Sequence, residues 1–264
     1  MNKRKVIQAS ALIIILVLVF QAGVFAYAKV AVTPKAETEE GQETNAGPVQ
    51  SEVVQSSYDQ FLKDFSVQET YRKQIEELVA GGYSRAAVMI AYDFLYHNFG
   101  NVNDWTALLE ARSAGKTWET LFTQYRETHK EFIPRSFESE ELELLMQVQG
   151  ATSDDIMIAD RLSFVTGKLF GNLLNEKLKN GKWSSVFERE KVLYSGNPFP
   201  RVQITEEEVR KYTGDGKLSE QQVTHAFVLA QKLGESAKVV VARVAQGFSD
   251  EMIMAQTYTE KYGE

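Results

Sequence analysis

The amino-acid sequence predicts an all-α protein built from three tandem helical repeats of about 67 residues each. Apolar residues recur at helical spacing along the chain from position 57 onward, and no stretch alternates strand-forming with polar residues. Two independent landmarks also recur with one period, as described below. Such repeats form either an α-solenoid-like array, in which each repeat stacks on its neighbours, or a helical bundle of duplicated origin.

The first 28 residues predict export from the cytoplasm. A basic head at positions 3–5 precedes an apolar run over residues 11–20, and Ala-Tyr-Ala closes the segment at 26–28. These are the parts of a secretory signal peptide. Residues 6–28 also span 23 positions, and a bilayer requires roughly 20 apolar residues, so an uncleaved membrane anchor is the alternative. In both cases we expect the following chain to be secreted or to lie at the extracytoplasmic face of the membrane.

Residues 29–56 predict a disordered acidic linker, because they lack aromatic residues and are rich in Glu, Thr, Gln and Pro. Residues 57–264 are then the all-α domain. Without the three basic residues of the leader, the exported part has 26 basic and 36 acidic residues, a formal charge of −10. This charge argues against nucleic acid or anionic lipid as a main partner. Membrane contact is expected only through residues 6–28, if they are retained.

The first recurring landmark is a glycine that ends one helix, followed by a hydroxyl residue that opens the next. Glycine closes a helix in a left-handed conformation without a Cβ penalty, and Ser or Thr accepts hydrogen bonds from the free N–H groups that follow. A β-branched residue comes four positions after the hydroxyl and an alanine seven positions after it. The three copies are Gly82 with Ser84, Gly150 with Thr152, and Gly216 with Ser219.

The second landmark is a glycine with an aromatic residue two or three positions later on, at Gly115, Gly181 and Gly247, each 66 residues from the next. Together the landmarks predict repeats at about 66–133, 137–197 and 204–264. Further helix starts are predicted by the capping boxes Ser66-x-x-Glu69 and Thr205-x-x-Glu208.

Acidic clusters are the first candidates for chemistry, since a glycan hydrolase needs two carboxylates at a fixed separation. The clusters are Glu138, Glu140, Glu141 and Glu143, then Asp154 and Asp155, then 206–208. Nearly all of them fall in the first turn of a predicted helix, where negative charge complements the helix dipole by about 0.3–1 kcal/mol. We therefore interpret them as structural and assign no catalytic residue.

The stretch from Lys211 to Gln222 resembles an EF-hand calcium loop, with Asp215 and Gly216 at the positions where that family requires them. Its first and twelfth positions hold Lys211 and Gln222, where the family requires acidic ligands. We expect no calcium binding, and the sequence assigns no metal site and no cofactor.

The three histidines lie far apart in the sequence, and each is interpreted separately. Asp93 and His97 share a helical face, which predicts an exposed hydrogen-bonded pair rather than a metal site. His129 lies in a polar stretch near a helix end. His225 occupies the repeat position held by Ile90 and Ile158, which leaves two interpretations: partial burial with titration near neutral pH, or a face that the last repeat exposes to water. The second is preferred.

The aromatic residues of the second landmark, Trp118, Trp183 and Phe248, are interpreted as wedges between helices rather than as a row that stacks ligands. Trp105 has no aromatic counterpart in the other repeats and is expected at the surface.

The sequence favours an exported, non-enzymatic helical repeat protein that presents an interaction surface to another protein or to the cell envelope. This hypothesis rests on architecture, since no catalytic motif is found. One alternative is a peptidoglycan-directed hydrolase that uses paired glutamates such as Glu140 and Glu141. The other is a membrane-tethered extracytoplasmic sensor, which requires a retained leader.

Overall fold

The computed structural model describes residues 49–196, 202, 204–214 and 216–263, and within them the chain forms thirteen α-helices. The helices are α1 Val49–Asp64, α2 Glu69–Ala80, α3 Arg85–Asn98, α4 Val102–Ser113, α5 Trp118–Thr128, α6 Ser139–Gln147, α7 Ser153–Thr166, α8 Phe170–Asn180, α9 Ser184–Glu190, α10 Glu206–Thr213, α11 Glu220–Leu233, α12 Ala237–Ala245 and α13 Asp250–Tyr262. The all-α prediction is confirmed. Helices α2–α5, α6–α9 and α10–α13 are termed the N-terminal, middle and C-terminal segments.

Helix α1 begins at Val49, earlier than the boundary at position 57 placed from composition. Residues 49–56, assigned above to the disordered linker, are therefore helical in the structure. Extending an existing helix adds one hydrogen bond for each residue fixed, so a helix anchored by packing can continue into a polar sequence. The leader and the rest of the linker lie outside the described residues.

The predicted helix starts of the first landmark are confirmed. The side chains of Ser84, Thr152 and Ser219 each accept a hydrogen bond from the backbone N–H three residues later and open α3, α7 and α11. The Thr205–Glu208 capping box is also present. The box predicted at Ser66 is wrong: α2 starts after Gln68 without a side-chain cap, and Ser66 takes a positive φ of 45° in the turn before it.

Helix α3 is the centre of the molecule. Its residues 88–97 are all buried, so it has no solvent-facing side over almost three turns. Ala91 and Ala159, two of the recurrent alanines, are completely buried in α3 and α7. A helix buried on every side requires neighbours on every side, and the other segments supply them.

The middle and C-terminal segments both pack on the N-terminal segment. Helix α13 packs against α3 and α5. The chain after α9 pairs with the turn before α4, where the Val102 N–H donates to the Lys191 carbonyl at 2.9 Å and the Leu193 N–H donates to the Gly100 carbonyl at 2.9 Å. The Tyr71 hydroxyl also donates to the Val192 carbonyl at 3.3 Å. The middle and C-terminal segments thus both contact the N-terminal segment.

The aromatic wedges are buried as predicted. Trp118 and Trp183 are 4% and 5% exposed, and Phe248 packs against the same core as a partly buried side chain. The surface location expected for Trp105 is wrong. Trp105 has no exposed surface, and its indole N–H donates to the Val88 carbonyl at 3.1 Å. The residue to which Trp105 donates belongs to α3, not to the corresponding position of another repeat.

Asp93 links α3 to the end of the chain. The Tyr262 hydroxyl donates to the Asp93 carboxylate at 2.6 Å, and the Lys261 ammonium lies 3.5 Å from the same oxygen. Burial alone would raise the pKa of Asp93, but Lys261, His97 and Tyr262 together lower it to about 2. The carboxylate is therefore ionised in the core, and its Oδ2 receives its partners from α13.

Replacing Tyr262 with Phe removes one donor to this buried carboxylate and leaves the ring in place. We expect the free energy of unfolding in urea at pH 7 to fall by about 1–3 kcal/mol, the range for a hydrogen bond to a charged group. Tyr212→Phe, on the partly exposed α10, is the matched control and should change it by less than about 0.5 kcal/mol. Equal losses in both variants would contradict the assigned link.

Candidate functional site

A cavity of about 480 Å³ lies where all three segments meet. Its walls come from α3, α5 with the chain that follows it, α7, α11 and α13. A volume of this size is within the range of small-molecule sites, about 300–1,000 Å³. The lining residues are His97, Asn98, Tyr125, Arg126, His129, Lys130, Glu131, Phe132, Arg161, Phe164, Val165, His225, Val228, Leu229, Lys232 and Asp250.

All three histidines of the chain line this cavity. His97 comes from α3, His129 directly follows α5, and His225 comes from α11. No sequence pattern groups these three histidines, because 128 positions separate the first from the last. Their meeting results from the packing of the C-terminal segment on the N-terminal one.

His97 forms the innermost wall and is paired with Asp93. Its Nδ1 lies 2.8 Å from the Asp93 carboxylate, and both side chains are buried at 2% and 1% exposure. The prediction of a paired Asp93 and His97 is confirmed, but the expected exposure is wrong because α3 is enclosed. Burial lowers the pKa of His97 and outweighs the opposing effect of Asp93, while Lys232 lowers it further.

His225 lies at the rim with its side chain 57% exposed, as the preferred interpretation expected. Its Nε2 is 2.7 Å from the Asp250 carboxylate, a contact that the sequence did not predict. This hydrogen bond raises the pKa of His225 above its usual value. Arg126 lies 3.3 Å from the same Asp250 oxygen and 2.9 Å from Glu251, so the rim is a charge network between α5, α11 and α13.

His129 closes the other side of the rim. Its ring stacks on Tyr125 at a centroid distance of 3.8 Å and an angle of 9°, and its Nδ1 lies 2.8 Å from the Tyr125 carbonyl. The position near a helix end is confirmed, since His129 is the C-cap residue of α5.

Two cations lie deeper in the cavity. Arg161 of α7 stacks its guanidinium over Phe99 and Phe132, at 4.7 and 5.3 Å from the ring centroids. Burial lowers the pKa of Arg161 to about 10. Lys232 of α11 is partly buried, and the pKa of its ammonium falls to about 7 through burial, with repulsion from Arg126 and Arg161 adding to the effect.

The described lining of the cavity contains no Ser–His or Cys–His nucleophile pair. No serine, threonine or cysteine belongs to its described lining, so the His225–Asp250 pair has no alcohol or thiol to activate. Among the described residues, no three His, Cys, Asp or Glu side chains are grouped closely enough to hold a metal ion.

The acidic clusters lie elsewhere, and two of their members, Asp155 and Glu208, complete helix capping boxes. Asp155 completes the capping box of α7, and it also accepts hydrogen bonds from Lys177 at 2.6 Å and from the Trp183 indole at 2.7 Å. Glu208 caps α10. The four glutamates between 138 and 143 are all exposed at the start of α6, and none of them lines the cavity.

In the loop that resembles an EF-hand, Asp215 lies outside the described residues. Gln222, at the position of the twelfth ligand, completes the capping box of α11 with Ser219. The Gln222 side chain therefore caps α11, which is a structural role.

No family model matches the chain, and neither a curated protein nor a solved structure shows a significant match to it. Within the part of the chain that the structure describes, no helix combines the length and the apolar character needed to cross a membrane. Function is therefore argued from the site and the surface alone.

The depressed pKa of Lys232 predicts a pH-dependent stability. The folded protein releases this proton near pH 7 and the unfolded chain near 10.5. Between these values the unfolded state binds the extra proton, so the free energy of unfolding rises with pH. Replacing Lys232 with Met removes this contribution, and we expect the variant to gain more stability over wild type at pH 7 than at pH 9.

Urea unfolding at the two pH values measures this difference. Lys238→Met, an exposed lysine on α12, makes the same change of charge and should show no comparable dependence on pH. A gain for Lys232→Met that is the same at both pH values would contradict the depressed pKa.

Proposed function

We propose that this protein is an exported, non-enzymatic helical repeat protein that presents an interaction surface to another protein at the cell envelope. The observation that carries the proposal is an exposed apolar surface on the middle segment. Export rests on the composition of residues 1–28, and the repeats rest on the spacing of the landmarks.

The proposed repeats are supported by the order of the helices. Each of the three segments has four helices, and the second helix of each, α3, α7 or α11, is 14 residues long. The glycines of both landmarks take positive φ values: Gly82 102°, Gly150 82°, Gly216 71°, Gly115 95°, Gly181 76° and Gly247 85°. The same backbone requirement therefore recurs at the same place in every proposed repeat.

Of the two arrangements considered for the repeats, a bundle of duplicated origin is favoured over an array. In an array, each repeat packs mainly on the next one in the sequence. Here α13, the last helix, packs on α3 and α5 of the first segment. We therefore propose three repeats that have folded back around α3.

The interaction surface is formed by exposed apolar side chains between positions 133 and 169. Its members are Ile133, Leu142, Leu144, Met146, Val148, Phe164, Val165 and Leu169. Elsewhere in the described chain, Val239 is the only other exposed large apolar residue. Helix α6 has no fully buried residue; of its apolar side chains Leu145 packs against the core, and the others remain exposed. Concentrated exposure of this kind marks protein contact sites.

The hydrolase alternative receives less support. Glu140 and Glu141 are exposed in the first turn of α6, where the helix dipole accounts for them. They border the apolar surface rather than a cleft. The sensor alternative differs from the proposal only in whether the leader is retained, and it shares the same surface.

Site-specific photo-crosslinking in cells tests the surface. A photoreactive residue at Leu144 or Leu169, which are 67% and 72% exposed, should yield one discrete protein adduct that mass spectrometry identifies reproducibly from both positions. The control is the same residue at the exposed Glu110 of α4, which should not yield that adduct. Absence of an adduct at both test positions, or the same adduct at all three, would contradict the proposal.

The intact mass of the protein in the membrane fraction and in the medium tests its location. A soluble species that begins at Lys29 is expected for a cleaved leader. A full-length species found only with the membrane would instead support the tethered sensor, and a full-length species in the cytoplasm would contradict export.

A further inference from the structure

The central cavity combines positive charge with an apolar wall, and this combination carries an inference that is independent of the protein-binding surface. Arg126, Arg161 and Lys232 come from α5, α7 and α11, one from each segment. The local sequences of α5, α7 and α11 do not by themselves require these cations to face the interior. Burial is the main cause of the depressed pKa of Lys232, and repulsion from Arg126 and Arg161 adds to it.

The charge of the cavity is opposite to that of the chain. Its described lining holds four Lys or Arg residues and two carboxylates, whereas the whole chain has a formal charge of −7. One of the carboxylates, Asp250, already serves both His225 at 2.7 Å and Arg126 at 3.3 Å. The other, Glu131, is exposed at the mouth. An anion that enters the cavity therefore meets excess positive charge.

Lys232 is the cation best placed to receive such an anion. It is partly buried, and within the described residues no carboxylate lies at ion-pair distance from its ammonium. Its charged neighbours are Arg126, Arg161, Asp250 and Asp93, and the two acidic residues act on it only at longer range. Desolvated charge without a partner is unfavourable, so a bound anion would relieve an existing cost.

Apolar side chains lie beside the charges in the same cavity. Phe132 and Phe164 lie with their ring centroids 5.5 Å apart in an edge-to-face contact, and Val228 and Leu229 continue the wall from α11. Phe164 is 42% exposed although it is a large apolar residue. A ring or short hydrocarbon chain placed against it would remove this apolar surface from water, which favours binding.

We propose that the cavity binds a small organic anion, with its carboxylate or phosphate group at Lys232, Arg126 and Arg161 and its apolar part against Phe132 and Phe164. The anionic group supplies a counter-charge to Lys232, and the apolar part selects against simple inorganic anions. Binding ties together helices from all three segments, so the ligand also stabilises the folded chain by mass action.

Titration calorimetry of the full folded protein at pH 6.5 tests this site, with phenyl phosphate, phenylacetate, inorganic phosphate and benzyl alcohol as probes. We expect saturable binding of phenyl phosphate or phenylacetate with a dissociation constant of about 1 mM or lower. Whichever of the two binds more tightly identifies the head group. Inorganic phosphate lacks the apolar part and benzyl alcohol lacks the anionic group, so each should bind at least about tenfold more weakly.

Two substitutions separate the two halves of the site. Lys232→Met should weaken the aromatic anions about tenfold or more, since it removes a charged hydrogen-bond donor, whereas the control Lys238→Met should leave their binding within about twofold. Phe164→Ala, at an exposed position that tolerates truncation, should weaken phenyl phosphate but not inorganic phosphate. Circular dichroism checks that each variant is folded.

Three results would overturn the proposal. They are the absence of saturable binding of either aromatic anion up to about 10 mM in the wild type, equal effects of Lys232→Met and Lys238→Met, and binding of benzyl alcohol as tight as that of the anions. None of these results bears on crosslinking through Leu144, so the two proposals succeed or fail separately.

Discussion

The structure depends on the burial of α3 together with the ionised carboxylate that it carries. Ten consecutive residues of this helix are buried, and Asp93 is among them. An unpaired buried carboxylate costs several kcal/mol, so the fold has to bring partners to it. They come from the same helix, as His97, and from the last turn of the chain, as Lys261 and Tyr262. These contacts and the burial of Ile253, Met254 and Tyr258 together hold α13 against the N-terminal segment.

Closing the chain in this way creates the cavity. Once α13 lies on α3 and α5, its first turn brings Asp250 next to Arg126 and His225, and α11 brings Lys232 toward Arg161 of α7. The charges that line the cavity therefore belong to different segments and meet only when all of them are folded. A ligand in this position would be sensitive to the assembly of the whole domain rather than to one local motif.

The cavity and the apolar surface meet at the end of α7. Phe164 and Val165 are exposed apolar residues of the middle segment and also belong to the lining of the cavity. The middle segment contrasts with the N-terminal one because α6 contributes no buried residue, whereas α3 is buried along most of its length. A partner protein on the surface and an anion in the cavity would thus both contact the end of α7.

Local features of the fold were predictable because local chemistry causes them. The caps at Ser84, Thr152 and Ser219 depend on a side-chain oxygen and an N–H three residues later, and the burial of Trp118 and Trp183 follows from their place at helix starts in an amphipathic pattern. The prediction at Ser66 failed because Gln68 starts α2 after a turn that the motif does not describe. The early start of α1 was missed because the polar composition of residues 49–56 indicates only that they form no hydrophobic core, and a helix can continue through such residues.

The candidate site was decided by tertiary structure. No local pattern relates His97 to His225, Asp93 to Tyr262, or Lys232 to Arg161, and the surface position expected for Trp105 was wrong because α3 covers it. The sequence by itself determined the helices, their caps and the charge balance, since these depend on residues within one or two turns of each other. Which charges are buried together was decided only by the packing of α13 and α11 on the first segment, because desolvation and ion pairing act between residues that are distant in the chain.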